Sequence, residues 1–152
     1  QLMTDTDWIE RAYQVFNGAK PDHFTDFKHC DECAEHDQTL IGHDRDSIGL
    51  DQLGHASWDP LCFCSAEGKR YYMPALIRLT LNSLYDEPYL DQLLFHLADF
   101  GNDNALLVLC NRQQRQFITG FLSYLIDQHS EQLDRINLAD ELLTVYQIWS
   151  GD

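Results

Sequence analysis

The sequence is short of positive charge. Its 152 residues include 10 Lys and Arg against 25 Asp and Glu, which gives a formal net charge of −15 with histidine neutral. Binding to nucleic acid or to an anionic membrane surface depends on a basic patch, so the sequence predicts neither as a partner. It favours attraction to a basic protein instead, although acidity of this degree also serves plain solubility.

Long apolar runs and an even number of cysteines are also absent. No uninterrupted apolar stretch reaches the roughly 18 residues of a membrane span, and no charged-then-apolar leader is visible. Five cysteines are an odd count, which is atypical of a disulfide framework and indicates a reducing compartment. We therefore expect a cytoplasmic protein without membrane contact. Gln1 and Leu2 are open to interpretation as remnants of a tag or leader, with Met3 as a candidate native start.

Familiar catalytic motifs are missing too. The sequence contains no GxGxxG, Walker loop, HExxH or GxSxG pattern. Three aspartates, Asp44, Asp46 and Asp51, lie between His43 and His55 and allow a hydrolase interpretation. Nothing in the pattern fixes their geometry, so a solvated acidic loop is the better interpretation. The sequence therefore leans away from an enzyme without excluding one.

The most apolar stretch runs from Tyr71 to Tyr85, near the middle of the chain. Large residues recur there at spacings of three and four, as in Tyr72, Leu76 and Leu79, which predicts a helix with a wide apolar stripe. Such a helix is buried on more than one side. Ser65 is a candidate cap for the segment that leads into it, and Pro74 is expected to kink or restart the helix.

The remaining pattern predicts an all-α fold. Residues 1–152 are expected to form a single compact multi-helix domain around the central Pro-kinked helix, with an irregular segment at 43–64. Residues 61–65 are expected to be a short extended link, and residues 105–109 fit either a strand or a helical turn. Other helices are predicted at 4–16, 25–41, 47–53, 86–100, 112–128 and 137–149.

One cluster has the composition of a metal site. Cys30 and Cys33 form a Cys-x-x-Cys pair, with His36 three residues further along the predicted helix. Cys62 and Cys64, with His43 and His55, could complete a tetrahedral shell for a structural zinc that ties the irregular segment to this helix. Two alternatives remain open. The cysteines are small residues on a buried stripe, or they form a redox pair, although Asp31 and Glu32 between them should raise the thiol pKa.

A resemblance concerns the segment that begins the central helix. Residues 64–76 read CSAEGKRYYMPAL, which is similar to a pattern of about L-S-P-E-A-F-R-Y-Y-L-P-A in a family of small bacterial proteins of uncharacterised function. Ala66 replaces the proline of that pattern, and Gly68-Lys69 replaces Ala-Phe. The family has no activity to carry over, but proteins of this size and charge often neutralise toxins. Further matching positions are Trp58, Cys30, Glu32, Cys33, Gln113, Gln114, Phe121 and Leu122.

We therefore expect an acidic interaction protein, in the manner of a bacterial immunity protein that occludes a basic, nuclease-like toxin domain. Acidic side chains would pair with Lys and Arg of the toxin, and an exposed aromatic would anchor the contact. The alternatives are a zinc or redox enzyme centred on Cys30, Cys33 and His36, or a structural protein with a structural zinc. The candidate partner-binding residues are Asp31, Glu32, Glu35, Asp44, Asp46, Asp51, Trp58, Asp86, Glu87 and Asp91.

Overall fold

The computed structural model describes residues 3–151, and the regular structure in this part of the chain is entirely helical. The predicted all-α fold is confirmed, and the helices pack into a compact domain. Residues 105–109 are helical rather than extended. The α-helices are α1 (Asp5–Val15), α2 (Asp31–Ile41), α3 (Leu50–Leu53), α4 (Ala66–Ser83), α5 (Leu90–Ala98), α6 (Ala105–Leu109), α7 (Arg112–Arg135) and α8 (Ala139–Ser150).

The first helix begins where its capping residues predict. The Thr4 hydroxyl accepts a hydrogen bond from the Asp7 backbone N–H at 3.2 Å, and the Asp7 carboxylate accepts one from the Thr4 N–H at 2.9 Å. This reciprocal box satisfies two donors that the first turn leaves free. The helix then buries Ala12 and Val15 against the rest of the domain.

Helix α4 is the centre of the fold. The Ser65 hydroxyl caps it by accepting from the Gly68 N–H at 3.1 Å, and 12 of its 18 residues are buried. The helix is a single element through Pro74, so the predicted restart at that residue is wrong. Surrounding helices hold the proline in place even though it removes one helical donor. Helices α1, α5 and α6 pack on α4, while α8 packs on α5 and α7.

The segment 43–64 is irregular as predicted, but short helical turns build it. It contains α3 and two 3₁₀ turns, Ala56–Trp58 and Pro60–Phe63, so the extended link expected at 61–65 is wrong. Hydrogen bonds from α4 tie this segment down. The Tyr72 hydroxyl lies 2.8 Å from the His43 carbonyl, and Arg78 donates to the Arg45 and Ile48 carbonyls. These hydrogen bonds attach the segment to α4, and the zinc link expected between this segment and α2 stays a prediction.

Several boundaries differ from the sequence prediction for local reasons. Helix α2 begins at Asp31 rather than near Thr25, because Cys30 caps it and the preceding residues form turns. Helix α5 begins at Leu90, and Phe100, expected in its buried face, is 80% exposed with a positive φ of 65°. Helix α7 runs on to Arg135 across a kink at His129. No helix within residues 3–151 combines the length and apolarity that crossing a membrane requires.

Candidate functional site

Two sulfur atoms meet at the amino end of α2. Cys30 is the N-cap residue, and its Sγ accepts a hydrogen bond from the Cys33 backbone N–H at 3.4 Å. The Cys30 and Cys33 sulfurs are 3.3 Å apart. Cys30 is exposed to solvent, whereas Cys33 is buried directly beneath it. The pair therefore has one accessible sulfur and one protected sulfur in contact.

The pKa values of the two thiols move in opposite directions. The Cys33 backbone N–H, followed by a hydrogen bond from His29, lowers the pKa of Cys30 to about 7. The hydrogen bond to Cys30, followed by burial, raises the pKa of Cys33 to about 11. Asp31 and Glu32 were expected to raise the thiol pKa; Glu32 does contribute to the raised pKa of Cys33, whereas hydrogen-bond donors dominate at Cys30 and lower its pKa.

The histidine beside the sulfur pair is His29. Its Nδ1 lies 3.7 Å from the Cys33 Sγ, and its pKa is raised by a hydrogen bond with Cys30 and by the charge of that thiolate. The ligand atoms of His29, Cys30 and Cys33 all lie within 4.8 Å of one another, so this cluster is able to hold a metal ion. His29 directly precedes Cys30 in the sequence, and this adjacency could have indicated it as the histidine of the cluster.

His36 lies apart from the sulfur pair and inside the protein. Its ring packs against Trp58 at 4.6 Å and against Phe63 at 4.8 Å between centroids. The side chain is fully buried, and neither of its ring nitrogens has a hydrogen-bond partner. The structure thus places His36 in a contact between α2 and the segment 56–63.

A buried carboxylate holds the turn that precedes the sulfur pair. Asp37 Oδ1 accepts from the Phe24 N–H at 2.6 Å and the Thr25 N–H at 3.1 Å, while its Oδ2 lies 2.7 Å from His23 Nδ1. The Thr25 hydroxyl then donates to the Cys33 carbonyl at 2.6 Å. Burial opposes the charge of Asp37, but these hydrogen bonds outweigh burial and lower its pKa. Hydrogen bonds from Asp37 and Cys33 of α2 to Phe24 and Thr25 therefore hold the segment that precedes Cys30 against the helix.

The other two predicted sulfur ligands lie elsewhere. Cys64 is half-buried beside the first turn of α4, where burial raises its pKa to about 12. Cys62 belongs to a second cluster with Asp59 and His96, whose ligand atoms also lie within 4.8 Å of one another. Burial, followed by the charge of Asp59, raises the pKa of Cys62. The predicted set of five ligands is therefore divided among separate places.

The acidic candidates are spread over several surfaces. Asp44 shapes a turn, since its Oδ1 accepts from the Asp46 and Ser47 N–H groups, and these bonds lower its pKa. Three of the acids line one cleft of about 390 Å³ between α3 and the start of α5; these are Asp51, Glu87 and Asp91. The α2 acids Asp31, Glu32 and Glu35 lie on another element, and Asp86 precedes α5.

Two aromatic side chains are exposed, Phe95 in the adjoining cleft and Trp58 at the end of the 3₁₀ turn whose Ala56 lines the first cleft. Trp58 is 45% exposed and Phe95 is 51% exposed. Phe95 lines a second cleft that shares Ala56, Asp91 and Gln92 with the first. Every ion pair within residues 3–151 involves a histidine, so none of these carboxylates is neutralised by Lys or Arg. Anionic and apolar groups thus share one face of the domain.

Sequence reasoning missed Asp37, Asp59 and His96, which no local motif connects to their partners. Asp59 and His96 are 37 residues apart and meet only in the folded chain. Comparison of the chain with protein-family models, with curated proteins and with solved structures finds no significant match in any of the three.

Proposed function

We propose that Cys30 and Cys33 form a reversible dithiol/disulfide pair and that the protein carries out thiol–disulfide exchange. The observation that carries the proposal is the contact of an exposed N-cap sulfur with a buried sulfur at 3.3 Å. A disulfide needs about 2.05 Å between sulfurs, so a side-chain movement of roughly 1.2 Å closes the bond. The helix does not have to unfold for this movement.

The two cysteines have distinct roles in the exchange. The Cys30 thiolate attacks one sulfur of a substrate disulfide, forms a mixed disulfide and releases the other substrate sulfur as a thiolate, which takes up a proton. Cys33 then loses its proton and attacks the Cys30 sulfur, which releases the second substrate thiol. The substrate gains two electrons, and the protein is left with a Cys30–Cys33 disulfide. A small-molecule dithiol returns the protein to its starting state.

A zinc ion is the alternative occupant of the same cluster. The 3.7 Å separation of His29 Nδ1 and Cys33 Sγ favours it, because tetrahedral bonds of about 2.0 and 2.3 Å hold such atoms about 3.5 Å apart. The cluster supplies three protein ligands, one fewer than a structural zinc site uses. The dithiol interpretation needs no further ligand and also accounts for the difference in exposure between the two sulfurs, so we prefer it.

Redox titration with mass spectrometry tests the dithiol proposal. The protein is equilibrated in buffers of oxidised and reduced dithiothreitol, and free thiols are then alkylated and mapped. We expect a two-electron transition confined to Cys30 and Cys33, which Cys30→Ser and Cys33→Ser abolish. Cys62→Ser is the matched control, because Cys62 is also exposed but lies in another cluster. A purified protein that carries one equivalent of zinc dependent on His29, and shows no such transition, would favour the metal.

A second candidate function is binding of a basic protein, and we propose an immunity-type partner such as a toxin nuclease domain. The supporting observation is the acidic cleft of Asp51, Glu87 and Asp91, which adjoins the cleft lined by exposed Phe95. Carboxylates free of Lys and Arg would pair with cations of the partner, and an aromatic side chain would be the anchor. The partner would be inhibited by occlusion of its own basic surface.

Salt dependence and matched variants test this second proposal, with a basic nuclease domain as the probe. Charge removal by Asp51→Asn, Glu87→Gln and Asp91→Asn together should weaken binding about tenfold, at roughly 0.5 kcal/mol for each rim charge. The triple variant Asp31→Asn, Glu32→Gln, Glu35→Gln carries the same charge change on α2 and should have a smaller effect. Affinity that stays flat from low to high salt would count against electrostatic recognition.

A further inference from the structure

A buried acid–base pair lies below the cleft beside Phe95. Asp59 Oδ2 is 2.8 Å from His96 Nε2 and also accepts from Gln92 Nε2 at 3.1 Å. Asp59 is 3% exposed and His96 is 1% exposed. A carboxylate and an imidazole are thus held together with little exposure to solvent. Neither of them belongs to the proposed redox pair of Cys30 and Cys33.

Cys62 completes this group from the solvent side. Asp59 caps the 3₁₀ turn Pro60–Phe63, and its Oδ1 accepts from the Leu61 N–H at 2.9 Å. Residues three apart in a 3₁₀ turn lie on the same side, so Cys62 stands over Asp59. Its sulfur is within 4.8 Å of the ligand atoms of Asp59 and His96. The three side chains offer sulfur, oxygen and nitrogen to one point.

The hydrogen bonds of His96 are incomplete. Its Nε2 pairs with Asp59, but its Nδ1 is buried and has no hydrogen-bond partner. Coordination through Nε2 does not involve Nδ1, so only the single contact with Asp59 has to change for His96 to become a ligand. Because one hydrogen bond alone orients the ring, the imidazole can adjust to a ligand at small cost.

We infer that Asp59, Cys62 and His96 bind a divalent transition-metal ion, with zinc the best fit to one thiolate, one imidazole and one carboxylate. The metal takes the place of the proton between His96 and Asp59. Tetrahedral bonds of about 2.0–2.2 Å hold the nitrogen and oxygen about 3.3 Å apart, which is half an ångström more than their present separation.

The fourth coordination position of this metal faces a cleft. Asp59 and Cys62 line a space of about 280 Å³ together with Ala56, Asp91, Gln92 and Phe95. Three protein ligands and one open position are the pattern of a catalytic rather than a structural zinc. The open position would take water or a small molecule with a carbonyl or carboxylate oxygen, between the Phe95 ring and the Gln92 amide.

Cobalt titration tests the site in a background that removes the other cluster. In the Cys30→Ser, Cys33→Ser protein, we expect one equivalent of Co²⁺ to bind and to produce a thiolate-to-cobalt charge-transfer band. Zn²⁺ should displace the cobalt and abolish the band. Adding Cys62→Ser should remove the band and weaken Zn²⁺ binding on the order of 100-fold. Adding Cys64→Ser, the same change two residues away, should leave both unchanged.

The outcomes divide cleanly. A thiolate band that survives Cys62→Ser, or Zn²⁺ binding that is weaker than about 10 μM or not saturable at one equivalent, overturns the inference. Circular dichroism of each variant confirms that the helices remain, and substitution of the exposed Cys62 leaves the Asp59–His96 pair in place. The result does not depend on the dithiol proposal, since the background lacks both of its cysteines.

Discussion

The pH dependence of Cys30 alkylation is the sharpest test of the site at α2. A thiol with a pKa of about 7 is half ionised at pH 7, whereas a thiol at the ordinary value of 9.0 is about 1% ionised. Thiolates of lower pKa are weaker nucleophiles, with a Brønsted slope of about 0.4–0.5, so two units cost about eightfold. Cys30 should therefore react about sixfold faster than an ordinary exposed thiol at pH 7.

The shape of the profile is more informative than the rate at one pH. The Cys30 rate should rise with a midpoint near pH 7 and level off by about pH 8.5. The pKa of Cys62 is raised by burial and by Asp59, so its rate should still be climbing there. Iodoacetamide labelling, quenched at intervals and mapped by mass spectrometry, follows both residues in one sample. An ordinary thiolate overtakes Cys30 above about pH 8, because its intrinsic reactivity is higher.

Two variants separate the causes of the lowered pKa. The largest cause is a backbone N–H, which Cys33→Ser retains, so that variant should keep a midpoint well below 9.0. The imidazole is the next cause, so His29→Gln should move the midpoint upward. A wild-type midpoint of 8.5 or above would refute the reasoning, as would identical profiles for Cys30 and Cys62. Either result would mean that the N-cap contact does not stabilise the thiolate.

Three further substitutions test the framework, each by urea unfolding. Asp37→Ala should cost about 3 kcal/mol at pH 7, because it leaves the Phe24 and Thr25 N–H groups unpaired in the interior. Folding lowers the pKa of Asp37 below 3.8, so the contribution of its charge is present above that pH and is lost as the pH falls through the lowered pKa; a difference between variant and wild type that does not shrink in acid would contradict this account. Gly68→Ala should lower the free energy of unfolding by about 1–3 kcal/mol, because the added Cβ would lie 2.7 Å from the Phe24 ring. An unchanged stability would show that the ring can move. Tyr72→Phe should cost about 1–2 kcal/mol through the hydrogen bond lost to the carbonyls at its hydroxyl, and a neutral effect would mean that water replaces it.

The central helix was predictable because its information is local. The recurrence of Tyr72, Leu76 and Leu79 and the cap at Ser65 lie within a few turns of one another, and all three large residues are buried. Only the restart expected at Pro74 did not occur, since the cost of a missing donor is a local quantity, whereas burial among neighbouring helices is not. The first helix was equally predictable from the cap at Thr4.

The sulfur pair was predictable, but its neighbour was not. Helical spacing suggested His36, three residues beyond Cys33. Side chains of a helix tilt toward its amino end, so Cys33 leans back to meet Cys30 and His29. His36 is instead drawn into the aromatic contact with Trp58. The division of the remaining cysteines depends on tertiary contacts, and the proposed binding of a basic protein depends on a partner; local patterns encode neither.

The cysteine at the N-cap of α2 makes one sulfur serve two purposes. The atom proposed to react is also the acceptor that holds the Cys33 N–H at the first turn. Oxidation or alkylation withdraws charge from that acceptor, so the chemical state of Cys30 should be reported as fraying of α2. The same helix carries His36 against Trp58, the most exposed indole among the three in the chain. Trp58 fluorescence should therefore respond to the proposed chemistry of Cys30, which lies about two turns along the helix from His36.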